Sequence, residues 1–592
     1  MASVSSIVLL LVGLSAFATG YLVYSRYVAR KIYQLDPDFR TPAHEFEDGV
    51  DFLPTNRNVL FGHHFTSVAG AAPIVGPAIA VIWGWLPAFL WVVLGTIFAG
   101  AVHDFGTLWI STRHKANSIG TLAGKIVGDR GRVLFMLVIF FLLLLVNAVF
   151  AVVISNLFIG NPGAVLPVWG SLVVAITVGF LIYRSGAGLL LPSLGALAVL
   201  YFLIWVGQSV PLQLPDFFGF DPTPAQVEAA GGDQAAAAAA ATTDGVRAGW
   251  VIVLFVYAFF ASVLPVWLLL QPRDYVNSHQ LFVALGIIGL GIIFTNAPVV
   301  APAVNTELPP DTPNWFPLLF VTIACGAISG FHGLVSSGTS SKQLDKETDA
   351  RYVGYGGAVG EGSLALTSIL ATTAGFAVVV GVDGWHDHYG SFASASAGAT
   401  QAFVQGVGFL AQGIGIPQGL AVTFAAVVVI SFAATTMDTG VRLQRYIISE
   451  LGNEYGVKLA QNRWIATTLA VSSCALLALG VDRGAGGMRL WPLFGTTNQL
   501  TGAMSLLVIS LFLFSLKRRI WVTVMPLAFL LVMTTWAMVI NMIGYWTSET
   551  WLLFGVGGAI FVLVLWLVFE ALAAIRVAIA ASGPGAPARR GS

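Results

Sequence analysis

The stretch LFGHHFTSVAGAAPIVGPAIAVIW, Leu60 to Trp83, decides how the rest of the chain is read. It is long enough to cross a bilayer as a helix, which takes roughly 20 residues. Yet it carries His63, His64, Thr66 and Ser67, then Gly70-Ala71-Ala72-Pro73 near its middle and Pro77 a turn later. Each proline removes a backbone donor and disfavours helix in the residue before it, and Gly70 lets the chain leave the helix cheaply. Hydrocarbon tolerates a broken helix only where protein or a water-filled cavity surrounds it. Such interrupted spans mark the binding sites of secondary transporters. A proline-kinked packing helix is the plainer reading of the same residues.

Composition agrees with lipid as the solvent. Of 592 residues, 57% are hydrophobic and 9% charged, with a mean hydropathy of +0.84, far outside the range of soluble domains. The two cysteines, Cys325 and Cys474, lie in apolar runs with neither a disulfide framework nor metal spacing. The first apolar run, Ser5 to Tyr24, lacks the basic start and cleavage site of a signal peptide and reads as a retained span.

Hydropathy predicts an all-α polytopic membrane protein with about 15 transmembrane helices. Residues 391–415 are weakly apolar and read as a re-entrant or surface helix. With the N-terminus outside, most basic loops fall in the cytoplasm, including those after the first and third spans, Arg184, Arg273, Lys342 to Arg351, Lys517-Arg518-Arg519 and Arg589-Arg590. The acidic 211–247 loop falls outside. Arg483 and Arg489 are the exceptions. The second span is broken at its centre, and the seventh, of opposite direction, reads as interrupted at Ala261-Ser262-Val263-Leu264-Pro265. This suggests leucine-transporter-like inverted repeats, spans two to six and seven to eleven, with discontinuous helices. The corresponding segments are 1–59, 60–209, an acidic loop 210–248, 249–440, and a C-terminal four-helix region 441–592.

Several long motifs resemble the carbon starvation protein A family in order along nearly the whole chain. They are FGHHFTSVAGAAPIVGP (61–77), GWLPAFLWVVLGTIFAGAVHDF (84–105), ASVLPVWLLLQPRDY (261–275), CGAISGFHGLVSSGTSSKQLDKETDARYVGYG (325–356), TTMDTGVRLQRY (435–446) and WPLFGTTNQL (491–500). Ala72 departs from the glycine expected there, and glutamine is also common at the position of His103. The resemblance implies a non-enzymatic bacterial inner-membrane importer of peptides or pyruvate, used under carbon starvation.

Physics then nominates the site residues. A substrate carboxylate would dock at the second-span break, at Gly70, Ala71, Ala72, Pro73 and Ile74, with Ser262 from the seventh span. Free amides of Ile74 and Val75 would begin the outer half-helix there. Coupling to Na⁺ or H⁺ would use His64, Thr66, Ser67, His332, Ser336, Ser337, Thr339 and Glu361, because ionisable groups inside a membrane are costly and usually functional. Each histidine reads equally well as a satisfied packing residue. Asp438 with Arg442 reads as an i,i+4 interfacial ion pair, Asp104 as a similar partner of Arg113 or Lys115, and Asn498 and Gln499 as interhelical hydrogen-bond glue. No cofactor is expected, and the partners are the small-molecule substrate and lipid. Nothing suggests nucleic-acid or nucleotide binding. The rival class is a metal or haem redox protein with His63, His64, His103 and His332 as ligands, and a channel is the third.

Overall fold

The computed structural model describes residues 4–48, 51–185, 190–265 and 267–581. Arg589 and Arg590, and the side chain of Arg184, lie outside the described residues. Its principal helices are α1 (Ser6–Tyr33), α2 (Arg57–Val68), α3 (Ala72–Trp83), α4 (Trp85–Arg113), α5 (Asp129–Gly160), α6 (Pro162–Ile182), α7 (Leu191–Ser209), α8 (Gln234–Val263) and α9 (Leu270–Thr295). There follow α10 (Trp315–Thr322), α11 (Gly330–Gly338), α12 (Glu347–His388), α13 (Phe392–Gln412), α14 (Gln418–Glu454), α15 (Arg463–Gly480), α16 (Gly487–Ser515), α17 (Trp521–Thr547) and α18 (Trp551–Glu570). Among the described residues, thirteen helices are long and apolar enough to cross a membrane, and α2 with α3, bent by 48°, make a fourteenth.

Contacts at the helix ends sort into two faces. On the basic face, Thr55 pairs with Leu344, His44 Nε2 lies 2.8 Å from Asp345, and Arg113 pairs with Glu347. On the opposite face Ser5 pairs with Pro298, and the Trp83 indole donates to the Pro313 carbonyl at 2.8 Å. Arg483 belongs to this second face, where it donates to the Asp221 carbonyl at 2.9 Å and covers the Phe220 ring. The acidic loop thus accounts for a cation that breaks the charge pattern.

α13 begins and ends on that same second face. Its first amides donate to the Asp311 carboxylate, Gln401 accepts from Asn161, and Gly413 abuts Thr295 at the end of α9. Its two ends therefore lie on one face.

Two expectations need correction. The seventh span has no central break, because α8 simply ends at Val263 and α9 starts at Leu270. Two arginines of α14 cap that end. Arg442 donates to the carbonyls of Ala261 and Leu264, at 2.8 and 2.9 Å, and Arg445 to that of Ser262 at 2.8 Å. These are orphan carbonyls of a helix C-terminus, satisfied by cations that also suit its dipole. The second discontinuity lies in the ninth span instead, where α10 and α11 are separated by non-helical residues 323–329. The symmetry argument from breaks in spans two and seven loses that support.

Candidate functional site

At the first break, α2 stops at Val68 and the Gly70 amide turns back onto the Val68 carbonyl at 2.9 Å. α3 starts at Ala72, so Pro73 is its second residue, where a missing N–H leaves no intrahelical bond unmade. The amides of Ile74 and Val75 are not free: both bond to the Ala71 carbonyl, at 3.1 and 3.0 Å. Those of Ala71 and Ala72 have no hydrogen-bond acceptor among the described residues. The amides left free at the start of this half-helix therefore lie three residues earlier than the sequence suggests.

The second break passes directly beneath. A Cβ on Gly76 would sit 2.5 Å from the Thr322 carbonyl oxygen, so the two backbones meet only because residue 76 has no side chain. Gly326, at φ +92°, lies against Pro73. In a membrane core the exposed backbone of residues 320–331 needs partners, and neighbouring helices supply them. The Trp91 indole donates to the carbonyls of Phe320 and Ile323 at 3.2 Å each, Gln499 to that of Phe320 at 2.7 Å, and Trp491 to that of Thr322 at 3.3 Å. The Thr96 hydroxyl donates to the Gly326 carbonyl at 2.9 Å. Asn498 accepts from the Phe331 amide at 3.0 Å and donates to Ser329 Oγ at 3.0 Å and Cys325 Sγ at 3.2 Å. Asn498 and Gln499 are thus interhelical bonds of a particular kind, holding a strand of unwound backbone in place.

Between the breaks lies a cavity of about 10 Å³, bordered by Gly70, Ala72, Phe150, Cys325, Phe331 and Thr436. No organic substrate fits that volume, so both breaks are closed around it. Larger cavities adjoin the basic face: one of about 450 Å³ beside Ser118, Ser337, Lys342 and Glu450, and one of about 230 Å³ beside Thr55, His63 and Tyr275. A narrow one of about 40 Å³, lined by His63, Thr339, Lys342, Thr439 and Arg442, shares residues with both. Ser337 and Gly338, the residues of α11 that follow Ser336, line the first of these cavities.

Next to the closed cavity is a buried ionisable cluster. Asp104 of α4 accepts from two imidazoles, His103 Nδ1 and His332 Nδ1, each at 2.8 Å. The other nitrogen of His332 lies 3.3 Å from Glu361 Oε1 of α12. Donor atoms of Cys325, His332 and Glu361 lie within 4.8 Å of one another. All of these side chains are buried, and no arginine or lysine among the described residues forms an ion pair with either carboxylate. Asp104 is therefore not a partner of Arg113 or Lys115. Those pair with Glu347 and Glu45 at the basic face, because α4 continues past Asp104 to Arg113.

The other nominated residues separate into two groups. The Thr66, Ser67 and Ser336 hydroxyls are buried with no hydrogen-bond partner among the described residues, on helices α2 and α11 that pack together. His64 Nδ1 bonds Ser340 Oγ at 2.8 Å, in the short 3₁₀ turn just past the end of α11. Ser337 and Thr339 instead return their protons to the carbonyls of Gly333 and Val335, at 2.7 and 2.9 Å. Ser262 is not at the break; its carbonyl holds Arg445, nine residues, or about 13 Å, along α14 from Thr436.

Asp438 does not pair with Arg442. It pairs with Arg273, and Tyr257 donates to the same carboxylate at 2.6 Å, while His63 Nδ1 lies 2.8 Å from Asp274. Sequence spacing favoured the local pair, but Arg442 is committed to the end of α8. The four histidines of the metal or haem reading do not converge either. His63 faces Asp274, His64 faces Ser340, and only His103 and His332 share a neighbour, Asp104.

Two discontinuous elements that meet backbone to backbone inside a helical membrane bundle, with buried ionisable groups beside them, define a membrane transport protein of the secondary class. The sequence profile of the family described as carbon starvation protein CstA matches residues 5–380 and 378–537, and the chain belongs to that family. It is 31% identical over 612 residues to the pyruvate/proton symporter BtsT of Escherichia coli K12, covering 90% of this chain and 81% of that protein. It is likewise 31% identical over 590 residues to the peptide transporter CstA of Campylobacter jejuni, covering 90% and 80%. The peptide transporter CstA of Bacillus subtilis is 30% identical over 580 residues, covering 92% and 90%. Among solved structures, a mutant manganese transporter from Eremococcus coleocola aligns over 89% of this chain and 99% of that one, with 12% identity and a TM-score of 0.43.

Proposed function

We propose that this chain is a proton-driven importer of pyruvate or short peptides across a bacterial inner membrane, with its N-terminus outside. The substrate's seat is the cavity between the two breaks, and its carboxylate lies toward the Ala71 and Ala72 amides. The observation that carries the reading is the Asp104–His332–Glu361 cluster. Two dissociable protons among these three groups leave it neutral, whereas one leaves a net negative charge in a buried site where no arginine or lysine among the described residues pairs with it. Such a charge is expensive to bury. The closed arrangement therefore favours the neutral cluster, and opening to water on one side releases the proton there.

The names of the relatives support the substrate range, and a pyruvate/proton symporter among them supports the proton. Pyruvate and a peptide share a carboxylate, so one helix terminus serves either. The three unpaired hydroxyls, Thr66, Ser67 and Ser336, would instead favour sodium, which needs several neutral oxygens. Purified protein in liposomes separates the two. Labelled pyruvate or a dipeptide should accumulate under an imposed proton gradient in sodium-free buffer. Accumulation that requires sodium and ignores the proton gradient would reject the proton reading.

A further inference from the structure

An apolar groove runs along the outside of the bundle between α4 and α17, with a volume of about 660 Å³. Leu94, Phe98 and Met525 flank it, and its floor is three rings in mutual contact. Trp91 lies 5.1 Å from Phe320 and 5.4 Å from Phe529, and Phe320 lies 5.2 Å from Phe529. Along α4 it extends from Pro87 to Ala99, twelve residues, about 18 Å at 1.5 Å each. At its end nearest the basic face stand Tyr24 and Trp521, amphipathic aromatics of the kind that sit at headgroup level.

Just beyond them the surface is cationic. Arg26, Arg30 and Lys31 are exposed on the last turns of α1, and Lys517 and Arg519 are exposed on the turn before α17. The two segments are tied together: Arg518 donates to the Tyr33 carbonyl, and the Tyr27 and Trp521 rings are 6.2 Å apart. None of the five exposed cations has a carboxylate partner among the described residues. Cations in such a cluster at the membrane surface attract anionic headgroups.

We propose that this groove seats one acyl chain of an anionic phospholipid from the leaflet on the basic face, with its phosphate among Arg26, Arg30, Lys31, Lys517 and Arg519. Apolar length and positive mouth are complementary to that one molecule. A zwitterionic lipid would gain less from the cations, and a soluble phosphate would gain nothing from the groove. The seat also touches the machinery of the second break. Trp91 and Phe320 form its floor, and the Trp91 indole holds the Phe320 and Ile323 carbonyls. A chain packed on those rings steadies the unwound backbone from the lipid side.

The test uses the full-length protein, delipidated in detergent, then mixed with phosphatidylglycerol, phosphatidylcholine or glycerol 3-phosphate. Retained lipid is counted by native mass spectrometry, and Tm is measured in parallel. Phosphatidylglycerol should be retained several-fold more than phosphatidylcholine and should raise Tm more. Glycerol 3-phosphate should leave Tm unchanged. The exposed double replacement Lys517→Gln/Arg519→Gln should remove the preference for phosphatidylglycerol. Met525→Trp, at a position 65% exposed, should fill the groove and reduce retention of both lipids. Equal retention of the two lipids by the wild type would overturn the proposal, as would variants that bind like the wild type. Stabilisation by glycerol 3-phosphate equal to that by phosphatidylglycerol would overturn it too, since the groove would then play no part. Binding is read without transport, so failure here leaves the importer reading standing, and failure of that reading leaves the lipid seat standing.

Discussion

Replacing Gly70 with alanine places a Cβ 2.6 Å from Thr436 Oγ1 and 2.9 Å from Phe150 Cε2. Ordinary contact begins near 3.4 Å, so the nearer neighbour must yield by about 0.8 Å. Neither can do so freely, because Thr436 and Phe150 are buried on the long helices α14 and α5, which pack against one another. Overpacking of this kind costs about 1–3 kcal/mol. Charged only to the closed arrangement of the breaks, it shifts the conformational equilibrium by roughly 5- to 150-fold. Gly70→Ala should therefore slow initial uptake into liposomes at least fivefold, and Gly70→Val should abolish it, while both proteins still insert. Thr436→Ala in the Gly70→Ala chain removes the tighter contact and should recover part of the loss, with a coupling of about 0.5–3 kcal/mol. Wild-type uptake by Gly70→Ala would refute the reasoning, as would a second replacement with no compensating effect.

Asn498→Leu leaves the Phe331 amide without its acceptor and should lower stability by about 1–3 kcal/mol, read as a lower Tm. Arg273→Met strands Asp438 in the core and should cost about 3–5 kcal/mol, with Asp438→Asn in the same chain restoring most of it. Pyruvate methyl ester, or a C-terminally amidated peptide, should compete poorly with its parent for uptake; equal competition would remove the carboxylate from the break. Reporter fusions within residues 211–247 should report the outer side and those within 342–351 the cytoplasm, and the reverse would invert the topology.

The first break was legible because Gly70, Pro73 and Pro77 each alter the backbone by themselves. The second was not. Its stretch, residues 323–329, contains no proline, and what keeps it unwound is Trp91, Thr96, Trp491, Asn498 and Gln499 from other helices. Pro265 misled in the opposite sense, since it follows the end of α8 rather than interrupting it. His332 and Glu361 stood out as ionisable groups within apolar runs, and the fold brings them within 3.3 Å. Asp104 was harder to place, because nothing local shows that α4 continues two more turns before the basic face. Asp438 failed for the same reason as the second break: a distant partner, Arg273, outcompetes the neighbour four residues away.

Assignment of the coupled proton to the Asp104–His332–Glu361 cluster is tested by Glu361→Gln. The amide preserves the shape beside His332 and leaves residue 361 unable to gain or lose a proton. Two assays on the same liposomes are compared: exchange of labelled for unlabelled substrate without a gradient, and accumulation driven by an imposed proton gradient with internal pH recorded. Exchange should persist, while accumulation and the accompanying proton movement should disappear. Proton-driven accumulation equal to the wild type would contradict it.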